Sequence, residues 1–213
     1  MQKTRQMIAS ERRFGRVNWL GLFTLGQREI LRFLNVWTQT LLAPLVTAGL
    51  FMLIFTIAIG PRRGEVMGVD FTTFIAPGIL MMTVIQNAFA NTSSSLVISK
   101  VQGNIVDTLM PPLSPLELTI GFIFGAATRG IIVGAIAAIG IHFSGLANLS
   151  VVHIWPVIWF GLMATLFLAA IGAMGGFWAD KFDHLAAVSN FVIVPLTFLS
   201  GTFYDINVLV EPF

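Results

Sequence analysis

Five apolar stretches, each of about twenty residues or more, constrain the fold of this chain more than any other feature. At about 1.5 Å of rise per residue, a helix of that length crosses a hydrocarbon core of roughly 30 Å. Backbone N–H and C=O groups in lipid must bond within the protein, so the stretches are predicted to be helices rather than strands. The predicted spans cover residues 37–59, 71–98, 118–141, 155–179 and 185–209.

The composition agrees with this interpretation. Hydrophobic residues make up 56% of the 213 residues and charged residues 10%, against roughly 25% charged in soluble domains. So few charges do not cover the surface of a soluble globule. The predicted fold class is therefore an all-α polytopic membrane protein with five transmembrane helices. The sequence contains no cysteine, which excludes disulfides, cysteine-type zinc sites and cysteine nucleophiles.

The distribution of lysine and arginine predicts the orientation. With a cytoplasmic N-terminus, nine basic residues of the tail and loops face the cytoplasm, and only Arg62 and Arg63 face the other side. Cytoplasmic loops carry the excess of basic residues, so this orientation is favoured. The basic N-terminal region is too long for a signal peptide and no small-residue cleavage site follows it. Orientation explains its charge more simply than nucleic-acid binding, and no nucleic-acid partner is expected.

Residues 1–36 are predicted to form a basic cytoplasmic tail that ends in an amphipathic helix at the membrane interface. The polar residues of that helix recur at steps of three and four: Thr24, Arg28, Arg32 and Asn35. Apolar residues mostly avoid this stripe, as in a helix that lies in the interface with arginines toward the headgroups. Arg28, Glu29 and Arg32 are its candidate site residues. A simple extension of the first transmembrane helix is the alternative.

A polar loop, KVQGNIVDTLMPPLSPLE (residues 100–117), joins the second and third spans on the predicted cytoplasmic side. Its apolar residues follow a helical spacing of 3, 4 and 4: Ile98, Val101, Ile105 and Leu109. The spacing predicts a short helix over about 101–109, which Pro111 and Pro112 end because proline lacks the N–H. This helix either lies on the headgroups or docks onto a soluble partner.

The end of the same loop carries the signals of a helix start. Ser114 is predicted to be the N-cap, Pro115 the first helical residue, and Glu117 an acidic residue in the first turn. The third span is therefore expected to begin abruptly after the two prolines.

Polar residues inside two spans are candidates for a translocation path: Gln86, Asn87, Asn91, Ser94 and Arg129. The second half of the second span is too polar for lipid contact all round, so it lines a cavity or bonds across helices. Arg129 lies well inside the third span, where an arginine costs at least about 2.5–3.5 kcal/mol on insertion scales. It either pairs with groups of other helices or lines the path.

Catalytic motifs are absent from this sequence. There is no G-x-x-x-x-G-K-[ST] phosphate loop, no H-E-x-x-H and no G-x-S-x-G, so any ATP hydrolysis is expected in another chain. The three histidines lie in loops on different sides, which disfavours a shared metal site. The alternative function is a membrane-embedded enzyme acting on lipid intermediates. Its only candidate groups are Asp180, Asp183 and His184, whose spacing is compatible with a divalent ion.

The order of several motifs resembles the permease subunit of ABC-2-type exporters over nearly the whole chain. The motifs are FTTFIAPGILMMTV (71–84), KVQGNIVDTLMPPLSP (100–115), GFIFGAATRGIIVG (121–134) and VPLTFLSGTFYDI (194–206), behind a basic amphipathic helix. Members of this family usually have a sixth span, so the sequence either ends before that span or lacks it. A threonine is commoner than Asn104 after the glycine of the loop.

The resemblance implies a membrane-spanning permease that works as a homodimer in the inner membrane and exports drugs, lipids or polysaccharides. The chain itself would need no cofactor and no metal. A separate ATP-binding cassette subunit would drive it, and the loop helix over 101–109 would be the coupling helix that contacts that subunit. The expected contact residues are Lys100, Val101, Gly103, Asn104, Ile105, Asp107 and Leu109.

Overall fold

The computed structural model describes residues 17–66, 68–147, 149, 151 and 153–204. The predicted basic tail up to residue 16 and the end of the predicted fifth span, 205–209, lie outside the described residues. Five helices in the described part are long and apolar enough to cross a membrane. The predicted all-α polytopic fold is therefore confirmed.

The amphipathic helix comprises Trp19–Asn35, and the five spans follow it in chain order. They are Thr38–Arg63, Phe71–Val101, Pro115–Ser144, Ile154–Trp178 and Phe182–Leu199. A short helix in the polar loop, here called the loop helix, comprises Ile105–Leu109. Two short antiparallel strands, Glu65–Val66 and Val69–Asp70, form a hairpin between the first and second spans.

The second span lies at the centre of the bundle, packed between the third and fourth spans. Half of the residues in its most apolar window are buried, against 11% in the first span and 17% in the fifth. Gly172 lets the backbone of the fourth span lie close to that of the second, since a Cβ there would lie 2.5 Å from the carbonyl oxygen of Phe89. The second, third and fourth spans thus form the packed core, and the first and fifth lie at its side.

The first and fifth spans differ from the others in their helical winding. Wider π-helical turns occupy Thr38–Leu42 and Phe55–Ile59 in the first span and Ser189–Ile193 in the fifth. Such turns leave backbone groups less regularly paired than in an α-helix and are frequent at functional sites. Both spans border the cavity described below.

The polar loop differs in one respect from its prediction. The second span continues as a helix to Val101, and Gly103 then adopts a left-handed conformation with φ of 74°. This conformation strains residues with a side chain, so the glycine separates the span from the loop helix. The helix predicted over 101–109 is therefore divided, and its separate part begins at Ile105.

The start of the third span is as predicted. Ser114 is the N-cap, Pro115 is the first helical residue, and Ser114 and Glu117 form a reciprocal capping box. The Glu117 carboxylate accepts a hydrogen bond from the Ser114 backbone N–H at 2.7 Å, and the Glu117 N–H donates to Ser114 Oγ at 3.3 Å. This arrangement satisfies backbone donors that have no partner within the helix.

Candidate functional site

The amphipathic helix is attached at its first residue to the start of the third span. The backbone N–H of Asn18 donates to Glu117 Oε1 at 2.7 Å, and Asn18 Nδ2 donates to the carbonyl of Pro112 at 3.2 Å. Asn18 Oδ1 in turn accepts from the N–H of Gly21 and caps the amphipathic helix. The proline pair, the third span and the amphipathic helix therefore meet at one junction.

Nearly three helical turns further along, the amphipathic helix bonds the loop helix. Arg28 Nη1 donates to Thr108 Oγ1 at 3.0 Å. Thr108 is buried although its neighbours Asp107 and Leu109 are exposed. The loop helix is thus held against the amphipathic helix by its one buried polar side chain.

Glu29 is the centre of the contact between the amphipathic helix and the membrane core. Its side chain is 0% exposed and accepts a hydrogen bond from Ser95 Oγ of the second span at 2.9 Å. It also forms ion pairs with Arg32 at 3.2 Å and with Arg28 at 3.6 Å. A Cβ at Gly125 of the third span would overlap Glu29 Cβ, so this glycine lets the amphipathic helix pack against the third span.

Arg32 connects the same cluster to the second span. Its Nη2 donates to the carbonyl oxygen of Asn91 at 3.0 Å and to Asn91 Oδ1 at 2.9 Å. The two arginines therefore bond Asn91 and Thr108 of neighbouring elements, although the Arg28 side chain remains 44% exposed. The carboxylate of Glu29 is the buried member of both ion pairs, and the two arginines supply the partners that a buried charge needs.

Apolar residues of the amphipathic helix occupy its exposed side: Trp19, Leu20, Phe23 and Leu31. They face the surroundings of the bundle, where a membrane would lie. Thr24, Arg28 and Asn35 of the predicted polar stripe are exposed as well. The side that faces protein carries the buried residues of the helix: Leu25, Gly26, Glu29 and Phe33.

Lys100 lies apart from the exposed side of the loop helix. Its Nζ donates to the carbonyl oxygens of Phe177 and Ala179, the latter at 3.0 Å, and lies 3.8 Å from the carboxylate of Asp180. These carbonyls belong to the end of the fourth span, where a cation is favourable. Lys100 thus joins the end of the second span to the end of the fourth.

The other predicted contact residues of the loop divide into two groups. Ile105 is partly buried and packs on a cluster that includes Leu25 and Phe122. The remaining predicted residues are exposed: Val101, Gly103, Asn104, Asp107 and Leu109. Val106 and Met110 are also exposed, and sequence reasoning missed them because they lie off the apolar stripe that was used to predict the helix.

Two of the five predicted path residues line a cavity between the first, second and fifth spans. Gln86 and Asn87 contribute to its wall, and its volume is about 390 Å³. Gln86 Nε2 also donates to Thr197 Oγ1 of the fifth span at 2.9 Å. Sequence reasoning missed the residues that the first and fifth spans contribute to this cavity: Gln39, Ala43, Pro44, Thr47, Ala48, Phe51, Val194 and Phe198.

The other three predicted path residues lie outside this cavity. Asn91 is fully buried and bonds Arg32, while Ser94 Oγ donates to the Asn91 carbonyl at 3.2 Å. Arg129 is 8% exposed, and its Nη2 donates to Asn87 Oδ1 at 2.9 Å. Both alternatives for the second span thus occur, since some of its polar residues line a cavity and others bond across helices.

The candidate groups for an enzymatic function are not arranged around a common point. Asp180 is 80% exposed in its side chain and faces Lys100. Within the described residues, no group of three histidine, aspartate or glutamate side chains is positioned to hold a metal ion. The geometry does not favour the enzyme alternative.

Comparisons with known proteins agree with the transport interpretation. The chain is 37% identical over 193 residues to the inner membrane transport permease YadH of Escherichia coli strain K12, covering 90% of this chain and 74% of that protein. It is 24% identical over 198 residues to nodulation protein J of Rhizobium leguminosarum bv. viciae, covering 92% and 74%. No solved structure matches the chain. Residues 21–213 match the family described as ABC-2 type transporter, and the chain therefore belongs to the ABC-2 type transporter family.

Proposed function

We propose that this chain is the membrane-spanning permease subunit of an exporter in the inner membrane, driven by a separate ATP-binding subunit. Two copies of the chain form the substrate path between them. The amphipathic helix and the loop helix lie on the cytoplasmic side, where the loop helix contacts the ATP-binding subunit.

The observation that carries this proposal is the division of the loop helix into two sides. Thr108 and Ile105 face the membrane domain, while Val106, Leu109 and Met110 are exposed. Met110 is 76% exposed in a segment that a proline pair ends. Exposed apolar residues next to one another on a short, firmly attached helix are typical of a protein-docking surface.

The contacts behind this surface support a coupling role. Movement of the loop helix acts on Arg28 through Thr108, and Arg28 and Arg32 share the carboxylate of Glu29. Glu29 in turn bonds Ser95 in the second span. Motion imposed on the loop helix therefore reaches the centre of the bundle through bonded side chains.

The surfaces of the first and fifth spans support the proposed second copy. These spans have the fewest buried residues of the five, at 11% and 17% of their most apolar windows. Both border the cavity that Gln86 and Asn87 line. A second copy that covers this side would close the cavity into a path between the two chains.

The proposed orientation is supported by charge. Lys100, in the last turn of the second span, and Lys181, just before the fifth, lie on the side of the amphipathic helix. Arg62 and Arg63 lie at the other end of the bundle. With the basic tail included, the excess of lysine and arginine favours a cytoplasmic amphipathic helix.

The proposal is tested by purifying the full-length permease from its native membranes with an affinity tag. We expect a second protein with a G-x-x-x-x-G-K-[ST] phosphate loop in stoichiometric amount, identified by mass spectrometry. Val106→Asp places a charge in the docking surface and should reduce the recovered ATPase by about tenfold or more. Val69→Asp makes the same change in the exposed hairpin at the other end and should leave recovery unchanged.

Two results would contradict the proposal. One is purification of an intact permease without any such ATPase. The other is unchanged ATPase recovery with Val106→Asp, provided that the variant melts at the same temperature as the wild type.

A further inference from the structure

Arg129 is a buried cation that has no acidic partner among the described residues. No carboxylate of the described residues lies within 4.0 Å of its guanidinium. Its Nη2 bonds Asn87, and its Nε has no hydrogen-bond partner among the described residues. Its charge is therefore solvated by one amide oxygen where a membrane would exclude water.

A neighbouring cation, bonded to the second span from the amphipathic helix, makes the imbalance larger. Arg32 bonds Asn91, which lies one helical turn from Asn87 on the same side of the second span. The carboxylate of Glu29 contacts Arg32 and Arg28, and it is not within ion-pair distance of Arg129. The buried carboxylate is thus already shared by two arginines, and the charge of Arg129 is left over.

The cavity next to this cation has two chemically different sides. Its polar wall is formed by neutral side chains of the second span, namely Thr83, Gln86 and Asn87. Its apolar wall includes Ala48, Phe51 and Phe198 from the first and fifth spans. None of the lining residues is charged, so Arg129 behind Asn87 determines the sign of the electrostatic potential at the polar wall.

We infer that the cavity takes an amphiphile with an anionic head group, a phosphate or a carboxylate, whose charge is balanced by Arg129. The inference rests on the proposed function, since it names the substrate class of the proposed path. Asn87 stands between the cavity and Arg129, accepts from the guanidinium, and retains an N–H for the head group because its Nδ2 makes one bond, to the Thr83 carbonyl. The apolar tail lies against Ala48 and Phe51.

The inference is tested with the full-length permease and its ATP-binding partner, reconstituted in phosphatidylcholine vesicles. The probes are dodecyl phosphate, dodecanol with the same chain and no charge, and inorganic phosphate without a chain. Stimulation of ATP hydrolysis is measured against the concentration of each probe. We expect half-maximal stimulation by dodecyl phosphate at a concentration about tenfold lower than for dodecanol, and no stimulation by inorganic phosphate.

Variants at Arg129 separate its charge from its packing. Arg129→Gln should remove the preference for dodecyl phosphate, and Arg129→Lys should retain most of it. Because Arg129→Gln also alters packing in the bundle core, Asn87→Asp serves as a second test of the charge of Arg129. It places a carboxylate beside Arg129 and should abolish the preference without removing the response to dodecanol.

Three results would overturn the inference. They are equal half-maximal concentrations for dodecyl phosphate and dodecanol in the wild type, an unchanged preference in folded Arg129→Gln, and equal stimulation by inorganic phosphate. Failure of the proposed function would be seen in a different experiment, the affinity purification. There the wild-type permease would bring down no ATPase, or Val106→Asp would bring down as much of it as the wild type.

Discussion

Glu29 of the amphipathic helix accepts a hydrogen bond from Ser95 of the second span, with 2.9 Å between Oε1 and Oγ, although 66 residues separate the two in sequence. The bond joins an element at the side of the bundle to its central helix. Since Glu29 also holds Arg28 and Arg32, its side chain fixes the position of the whole amphipathic helix.

Replacement of Glu29 is expected to destabilise the protein strongly. Glu29→Ala removes the acceptor of Ser95 and the carboxylate of both ion pairs, while Arg32 keeps its bonds to Asn91. Leaving a buried donor unsatisfied costs about 1–3 kcal/mol. Glu29→Gln preserves the hydrogen bond to Ser95 and should cost less. The measurement is the thermal unfolding midpoint in detergent. Glu65→Ala, at an exposed carboxylate in the hairpin, is the matched control, and an equal loss in both variants would contradict the assigned role.

A methyl group at Gly125 is expected to push the amphipathic helix away from the third span. Gly125→Ala would overlap Glu29 Cβ, and overpacking of this kind costs about 1–3 kcal/mol. Gly140→Ala in the same helix has no atom within 4 Å of the added Cβ and should not reduce stability. The unfolding midpoints of the two variants are compared. A Gly125→Ala protein as stable as Gly140→Ala would show that the two helices are not in contact.

Loss of Lys100 is expected to loosen the end of the fourth span. Lys100→Gln removes the cation from the carbonyls of Phe177 and Ala179, so amide hydrogen exchange in residues 177–183 should become faster. Lys181→Gln, at an exposed lysine in the same loop, should leave exchange unchanged. Because Lys100 is turned toward the fourth span, ATPase recovery should fall less than with Val106→Asp. A loss as large as that of Val106→Asp would assign Lys100 to the docking surface instead.

The capping box at the start of the third span gives a graded prediction. Ser114→Ala removes one cap interaction and should cost about 1 kcal/mol. Glu117→Ala should cost more, because Glu117 accepts from the backbone of both Ser114 and Asn18. Stability is measured for both single variants and the double variant. If their effects are additive, the two residues do not act as one unit.

The sequence predicts those parts of this structure that depend on local signals. Apolar length predicts five spans, and Ser114, Pro115 and Glu117 predict the start of the third because a cap is formed by neighbours in sequence. The bonds of Arg28 and Arg32 to other elements were not predicted, for a physical reason. Periodicity identifies the polar side of a helix but contains no information about what that side meets, and here it meets Ser95 and Asn91.

The partners of the site residues were also not predictable from the sequence, because they lie on other helices. Arg129 was recognisable as a costly cation, but its partner Asn87 is 42 residues away, and the pairing depends on how the second and third spans pack. The bonds of Lys100 were not predicted either, because the carbonyls that accept them belong to the backbone of another helix. A signal for Glu29 was present, since an acid flanked by arginines one residue before and three residues after it forms a compact triplet on one helix.

The junction of Asn18, Pro112 and Glu117 has a consequence for engineering chimaeras of this permease. Segments 99 residues apart in sequence share one carboxylate there. A loop transplanted from another permease without its own amphipathic helix would bring a carbonyl and a carboxylate that do not match the resident asparagine. The smallest exchangeable module is therefore composed of both segments together, and chimaeras should be designed by grafting them as a pair.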